Sequence, residues 1–307
     1  MSGGPLRSVA ALRARAASLP RRRVAVAMAT GAETLRAAIA AAEGGLARPI
    51  LVGPAREVEE GLRSLGAEPA GFEIVRGDDP AAAAGRAVAL VREGSADVLL
   101  KGAVSTSTLI RAVLDTERGL RADRLLSDVF VFDFAATPEP RIVGITDGGV
   151  VPRPTLEQKR EILRNGVDVF RALGVAAPRV ALVAAVETIT EAFPSTADAA
   201  ELARTGGEGI EGEVLVEGPM GLDLALSPAA VEAKGYRSEI RGAADLLLFP
   251  DLESANLAAK AVEYAVPLEP GHVIVGARAP VLIPSRSETA GARLTSIALG
   301  ALLVRGR

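Results

Sequence analysis

The 307-residue chain contains no cysteine, no tryptophan, a single histidine and only 3% aromatic residues. Without cysteine, disulfides, thiolate metal sites and cysteine-nucleophile mechanisms are all excluded. Any Ser-His-Asp triad would need the lone His272, and no G-x-S-x-G elbow accompanies it. His272 opens the apolar run HVIVGA and reads as a packing residue beside a strand. With aromatics scarce, the core must be Ala, Val, Leu and Ile packed between regular elements, which favours α/β over a sandwich. A net charge of −3 with both signs mixed along the chain provides no extended basic field, so nucleic acid is not an expected partner. No apolar run approaches the roughly 18 residues of a membrane span. The first 23 residues are Arg-rich and acid-free, as in a transit peptide, but lack the apolar centre of a secretory signal. They read as a short amphipathic helix before the first strand, and the expected location is the cytoplasm.

Short β-branched or Leu-rich runs alternate with Ala-rich segments: RVAVAMA at 23–29, PILVG at 49–53, FEIV at 72–75 and DVLLKG at 97–102. This is the pattern of βαβ units and a parallel sheet. DVFVFDF at 128–134 and RIVGITD at 141–147 are separated by only AATPEP, too short for a crossover, so a hairpin is expected. The alternation resumes with RVALVAAVE at 179–187, EVLVEG at 213–218, DLLLFPD at 245–251 and HVIVGA at 272–277. The break between two α/β domains is placed near DGGVVPRPTLEQKREIL, where Thr155 can cap the following helix. A GxGxxG string at Gly207, Gly209 and Gly212 follows a helix and leads into a strand, the reverse of a dinucleotide fingerprint.

In open α/β sheets ligands bind beyond the carboxyl ends of strands. The residues there are Lys101 and the hydroxyls Ser105, Thr106, Ser107 and Thr108 after DVLL, Asp147 after RIVGIT, and Ser285-Arg286 after PVLI. Hydroxyls with a Lys and an Arg suit an anionic, oxygen-rich ligand. Each also has a plain structural reading. Ser105 can cap the helix that follows, Asp147 can shape a Gly-Gly turn, and Asp245 and Asp251 can cap or turn. Ser285-x-x-Glu288 has the form of a capping box, opening a helix whose buried face would be Leu294, Ile297, Ala298 and Ala301.

Taken together, LLKGAVSTSTLIRAVLD, LRADRLLSDVFVFD, ITDGGVVPRPTLEQKREI, VEGPMGLDLALSP, AADLLLFPDLESANLAAK and VIVGARAPVLIPSRSETA resemble the phosphate acetyl/butyryl transferase family, and most closely its butyryl branch. The resemblance runs from about residue 23 onward. It implies acyl-CoA plus phosphate giving acyl phosphate plus CoA, by thiolate or phosphate attack on the carbonyl. Coenzyme A would be a substrate, with no tightly bound cofactor and no metal. It also implies an α/β architecture of two domains like the isocitrate and isopropylmalate dehydrogenases, with the active site in an interdomain cleft, and a homodimer. The domains would be 1–147, completed by 278–307, and 148–277.

The family's reacting Ser-Arg pair maps onto Ser285 and Arg286. Acyl-phosphate contacts map onto Lys101, Ser105, Thr106, Ser107 and Ser127, and cleft or interface positions onto Asn256 and Lys260. The acetyl branch carries a basic Asp seven positions after the Ser, where this chain has Ala292. Glu288 and Asp147 are then the candidate bases for a thiol whose pKa is about 8.5. Two other readings compete: a metal- and NAD(P)-dependent decarboxylating dehydrogenase of the same fold, and a non-catalytic regulator binding CoA or acyl phosphate.

Overall fold

A computed structural model describes residues 4–136, 139–285 and 287–304. Contacts divide the chain into a split unit, Ala10–Arg124 with Glu269–Arg307, and a central unit, Leu125–Leu268 with Met1–Val9. Both are α/β.

The split unit opens with α1 (Val9–Ala17), amphipathic with Val9, Leu12 and Ala16 buried. It continues as β1 (Arg22–Ala27), α2 (Ala32–Glu43), β2 (Ala47–Gly53), α3 (Ala55–Ser64), β3 (Glu73–Arg76), α4 (Pro80–Arg92), β4 (Val98–Lys101) and α5 (Thr106–Val113). The strands lie in the parallel order β3-β2-β1-β4. Apart from Arg22, Arg23, Arg48 and Lys101 at or near their ends, β1, β2 and β4 are continuous apolar runs, Val24–Ala27, Pro49–Gly53 and Val98–Leu100, buried on both faces as parallel strands under helices must be. Small side chains line the helices above them, among them Ala37, Ala38 and Ala41 of α2 and Ala83, Ala84 and Ala87 of α4.

The central unit comprises β5 (Ser127–Phe134), β6 (Arg141–Thr146), α6 (Leu156–Ala172), β7 (Arg179–Val183), α7 (Ser195–Thr205), β8 (Leu215–Met220), α8 (Leu222–Leu226), α9 (Pro228–Lys234), β9 (Leu246–Leu248) and α10 (Leu252–Ala265). Its strand order is β5-β6-β9-β7-β8. The expected hairpin is present as the antiparallel pair β5–β6, and the other pairings are parallel. Thr155 caps α6 in a complete capping box with Gln158. Two glycines seat that helix on the sheet. A Cβ on Gly166 would lie 2.4 Å from the Leu246 side chain, and one on Gly144 2.6 Å from the Phe170 ring. Phe130, Phe132, Val143, Ile145, Leu247 and Phe249 form the heart of the core. Gly209 and Gly212 sit between α7 and β8 with φ of +69° and +74°, a turn leading into a strand.

The chain returns to the split unit through β10 (Gly271–Val275), β11 (Val281–Leu282) and α11 (Ala290–Leu303). β11 pairs antiparallel with β10 and parallel with β4, Leu282 beside Leu100. Two expectations change here. The boundaries fall at 124/125 and 268/269 rather than 147/148 and 277/278, because β6 of the hairpin pairs with β9, and β10 with β11. In α11, Ile297, Ala298 and Ala301 are buried, but Leu294 is only half-buried while Thr295, Ser296, Leu299 and Gly300 are covered too. The helix is enclosed on most sides instead of presenting one apolar stripe.

Candidate active site

In the split unit the register fixes a neighbourhood. β4 and β11 run parallel with Leu100 beside Leu282, so the loops after them leave the sheet at the same end. The first carries Lys101 and Ser105 to Thr108, the second Ser285. Gly102 is needed between them because a Cβ there would meet the Ala27 and Met28 carbonyls at 2.6 and 2.4 Å. The Gly102 and Ala103 N–H groups donate to those same two oxygens. Ser105 caps α5, its Oγ accepting from Thr108 N–H at 3.0 Å and contacting Ser107 Oγ and Thr108 Oγ1. Its hydroxyl therefore serves the helix, while Thr106 and Ser107 stand exposed in the first turn beside the helix's N-terminal amides. Lys101 is buried at the end of β4.

The Ser285 loop differs from a capping box. Helix α11 starts at Ala290, and its cap is Thr289, whose hydroxyl accepts from Ala292 N–H at 3.2 Å. Half of the expected reciprocal pair forms nonetheless: Ser285 N–H donates to Glu288 Oε1 at 2.6 Å. The rest is a turn, with Glu288 N–H donating to Ser285 C=O. Ser285 Oγ is left to Ser287 Oγ at 3.2 Å and is not spent on the helix. Glu288 is buried, with Oε1 3.6 Å from His272 Nε2. Arg293, which no motif singled out, is buried in the first turn of α11 and donates to Ser285 C=O at 2.8 Å. Burial pulls its guanidinium below the ordinary arginine pKa, and Glu288 and Glu33 oppose this. Its signal in the sequence was weak but present, a lone charge in the run TAGARLTSIALGALL. Arg286 lies outside the described residues.

In the central unit Asp147 follows β6 and is 3% exposed. Its Oδ1 accepts from the N–H groups of Asp128, Gly149 and Val150 at 3.0–3.1 Å, and Oδ2 from Val151 at 2.9 Å. Burial and the nearby Asp128 carboxylate push the Asp147 carboxyl up to about 6, against those hydrogen bonds. Thr146 Oγ1 donates to Asp128 C=O, tying β6 to β5. Asn256 of α10 donates from Nδ2 to Gly148 C=O at 2.9 Å, securing the same loop. Lys260 pairs along its helix with Glu263 at 2.6 Å. Ser127 is completely buried, its Oγ accepting from Asn165 Nδ2 at 2.8 Å. Asp251 caps α10, and Asp245 makes a two-pronged pair with Arg179.

A family profile described as phosphate acetyl/butaryl transferase matches residues 79–301. Phosphate butyryltransferase from Clostridium acetobutylicum is 38% identical over 282 residues, covering 92% of this chain and 93% of its own. Phosphate acetyltransferase from Rhizobium meliloti is 38% identical over 275 residues, 89% of this chain and 86% of its own. Among solved structures, a branched-chain phosphotransacylase from Enterococcus faecalis V583 aligns with TM-score 0.82 and 28% identity over 93% of this chain and all of its own. A 4-hydroxythreonine-4-phosphate dehydrogenase from Burkholderia phymatum reaches TM-score 0.52 at 13% identity over 94% of this chain and 99% of its own, a likeness of fold alone.

Proposed function

The chain belongs to the phosphate acetyl/butyryl transferase family, and from that premise we infer the residues that carry its reaction. It is a phosphate acyltransferase, exchanging an acyl group between coenzyme A and phosphate: acyl-CoA + phosphate = acyl phosphate + CoA. The dehydrogenase and regulator readings have nothing comparable in their favour.

One observation carries the residue assignment: parallel β4 and β11 bring the Thr106–Ser107 turn and the Ser285 loop to the same end of one sheet. Phosphate is held by the first-turn amides of α5 with Thr106 and Ser107, where a helix N-terminus favours an anion. Lys101 adds positive charge behind the turn. A phosphate oxygen attacks the thioester carbonyl, the carbonyl oxygen becomes negative, and collapse of the tetrahedral intermediate breaks the C–S bond and expels the CoA thiolate. The Ser285 hydroxyl, not consumed by capping, donates to that oxyanion. Arg286 polarises the phosphate, a role resting on the family resemblance. Asp147 and Glu288 are committed to backbone N–H groups in closed surroundings, which supports loop-holding roles over proton abstraction. Asn256 supports the Asp147 loop, and Ser127 anchors the start of β5 through Asn165.

Finer features rest on the resemblance: a butyryl or acetyl donor, no tightly bound cofactor, a homodimer, the cytoplasm, and kinship with isocitrate and isopropylmalate dehydrogenases. No described helix is long and apolar enough to cross a membrane. Purified protein should release free thiol from butyryl-CoA or acetyl-CoA only when phosphate is present. Release without phosphate, or an undiminished Arg286→Ala variant, would overturn the assignment. Ranking acetyl-, propionyl-, butyryl- and isobutyryl-CoA by rate identifies the donor, since one methylene is worth only about 1–3 kcal/mol in an apolar pocket.

A further inference from the structure

Ser285 is held through both of its backbone polar groups by buried charges of opposite sign. Its N–H donates to Glu288 Oε1 at 2.6 Å, and its C=O accepts from Arg293 Nη2 at 2.8 Å. Arg293 Nε also reaches Glu288 C=O at 3.4 Å, so one guanidinium spans the two ends of the turn. Both side chains are more than nine-tenths buried. Each leaves one polar atom over: Glu288 Oε2 and Arg293 Nη1 have no hydrogen-bond partner among the described residues.

Burying two charges with incomplete hydrogen bonding is a poor way to gain stability, because desolvation outweighs the attraction unless every polar atom is satisfied. An apolar pair of similar volume would serve the fold as well or better. What the charged pair does, and an apolar pair cannot, is fix Ser285 from both sides. Among the described residues, Glu33 of α2, which accepts from Ala290 N–H at 3.0 Å, and His272 of β10, 3.6 Å from Glu288, are further titratable groups facing the cluster.

We propose that Glu288 and Arg293 are positioning residues, a two-sided clamp that sets the Ser285 hydroxyl against the developing oxyanion, and that Glu288 serves the reaction in this way and not by taking a proton. This rests on the acyl-transfer reading above. Arg293 thereby becomes a functional residue eight positions beyond Ser285, outside the Ser-Arg pair.

Four variants test it by steady-state phosphate-dependent thiol release. Misplacing a reacting group by about 1 Å costs about 100-fold, so Glu288→Ala and Arg293→Ala should each lower kcat about 50- to 100-fold with the acyl-CoA KM little changed. Glu288→Gln keeps an oxygen that accepts the Ser285 N–H and should stay within about 5-fold of wild type, because conservative replacement preserves the hydrogen bond. Arg293→Lys, whose ammonium lacks the planar fork, should fall at least about 5-fold. Glu288→Gln as inactive as Glu288→Ala would make Glu288 a base and overturn the proposal; so would Arg293→Lys at the wild-type rate. Should the alanine variants fail to fold, these two conservative variants decide it, with their melting temperatures confirming the fold. Hydrogen exchange at the Ser285 amide is read in parallel and needs no turnover. Protection lost in Glu288→Ala but kept in Glu288→Gln supports the clamp, and unchanged protection in Glu288→Ala overturns it. An inactive wild type would therefore count against the acyl-transfer reading separately.

Discussion

Two loops at strand ends are each held by a buried carboxylate, and they are held differently. After β6, Asp147 gathers four backbone N–H groups from two segments and has its acidity weakened by burial and by Asp128. After β11, Glu288 accepts a single N–H, and the opposing carbonyl is taken by Arg293. The first arrangement solves a problem of backbone satisfaction, since buried N–H groups need acceptors. The second concentrates two charges on one residue. On the clamp proposed above, the contrast separates a loop whose geometry serves the fold from one whose geometry serves a hydroxyl, and it can be attacked from either side.

The largest effect should come from Ser285→Ala. Removing one oxyanion donor costs about 100- to 1,000-fold in kcat, and because Thr289 is the cap, stability should hardly move. Matched thermal melts and rate assays check this, and a large loss of stability with modest loss of rate would return Ser285 to a structural role. Next is Asp147→Asn, in which an NH2 group faces N–H donors in place of an acceptor oxygen. A cost of about 1–3 kcal/mol in urea unfolding is expected from buried polar groups left unsatisfied, with a smaller effect on turnover than Ser285→Ala.

The same residue gives a pH signature. Its folded pKa of about 6 lies above the ordinary aspartate value of 3.8, so the folded state holds the proton where the unfolded state has lost it. The associated stability is complete below the unfolded pKa and disappears as pH rises through about 6. Wild type should therefore lose up to about 3 kcal/mol across that window, at about 1.4 kcal/mol per pKa unit, and Asp147→Asn should lack this component. A wild-type and variant difference that stays flat between pH 4 and 7 would contradict it. The smallest effect is that of Thr289→Ala, which removes a cap worth about 1 kcal/mol and should leave kcat near wild type.

The alternating runs in the sequence located the strands to within a few residues, and the Ser105 and Thr155 caps were legible because capping is local chemistry. What escaped depended on distant partners. The hairpin β5–β6 belongs with the segment that follows it because β6 pairs with β9, about a hundred residues on. Ser285-x-x-Glu288 matched the capping pattern, yet only the Glu-to-amide half forms, and the helix starts at a second hydroxyl, Thr289, four residues later. For Ser127 the distant partner is Asn165, 38 residues on, which donates to its buried hydroxyl. Arg293 gave only a lone charge in an apolar run, because its acceptors are carbonyl oxygens, which every residue has.

The pairing of β11 with β4 has a consequence for how the protein is made. Leu100 and Leu282 are neighbours in the sheet, so throughout synthesis the β4 side of the split unit waits with unpaired peptide groups until the segment beyond residue 269 leaves the ribosome. The pairings among β5, β6, β9, β7 and β8 join strands that all lie between Ser127 and Leu248, and these can form much earlier. A nascent chain stalled before β11 would thus present an open edge at β4, the kind of edge that recruits other chains, and would lack Ser285 altogether.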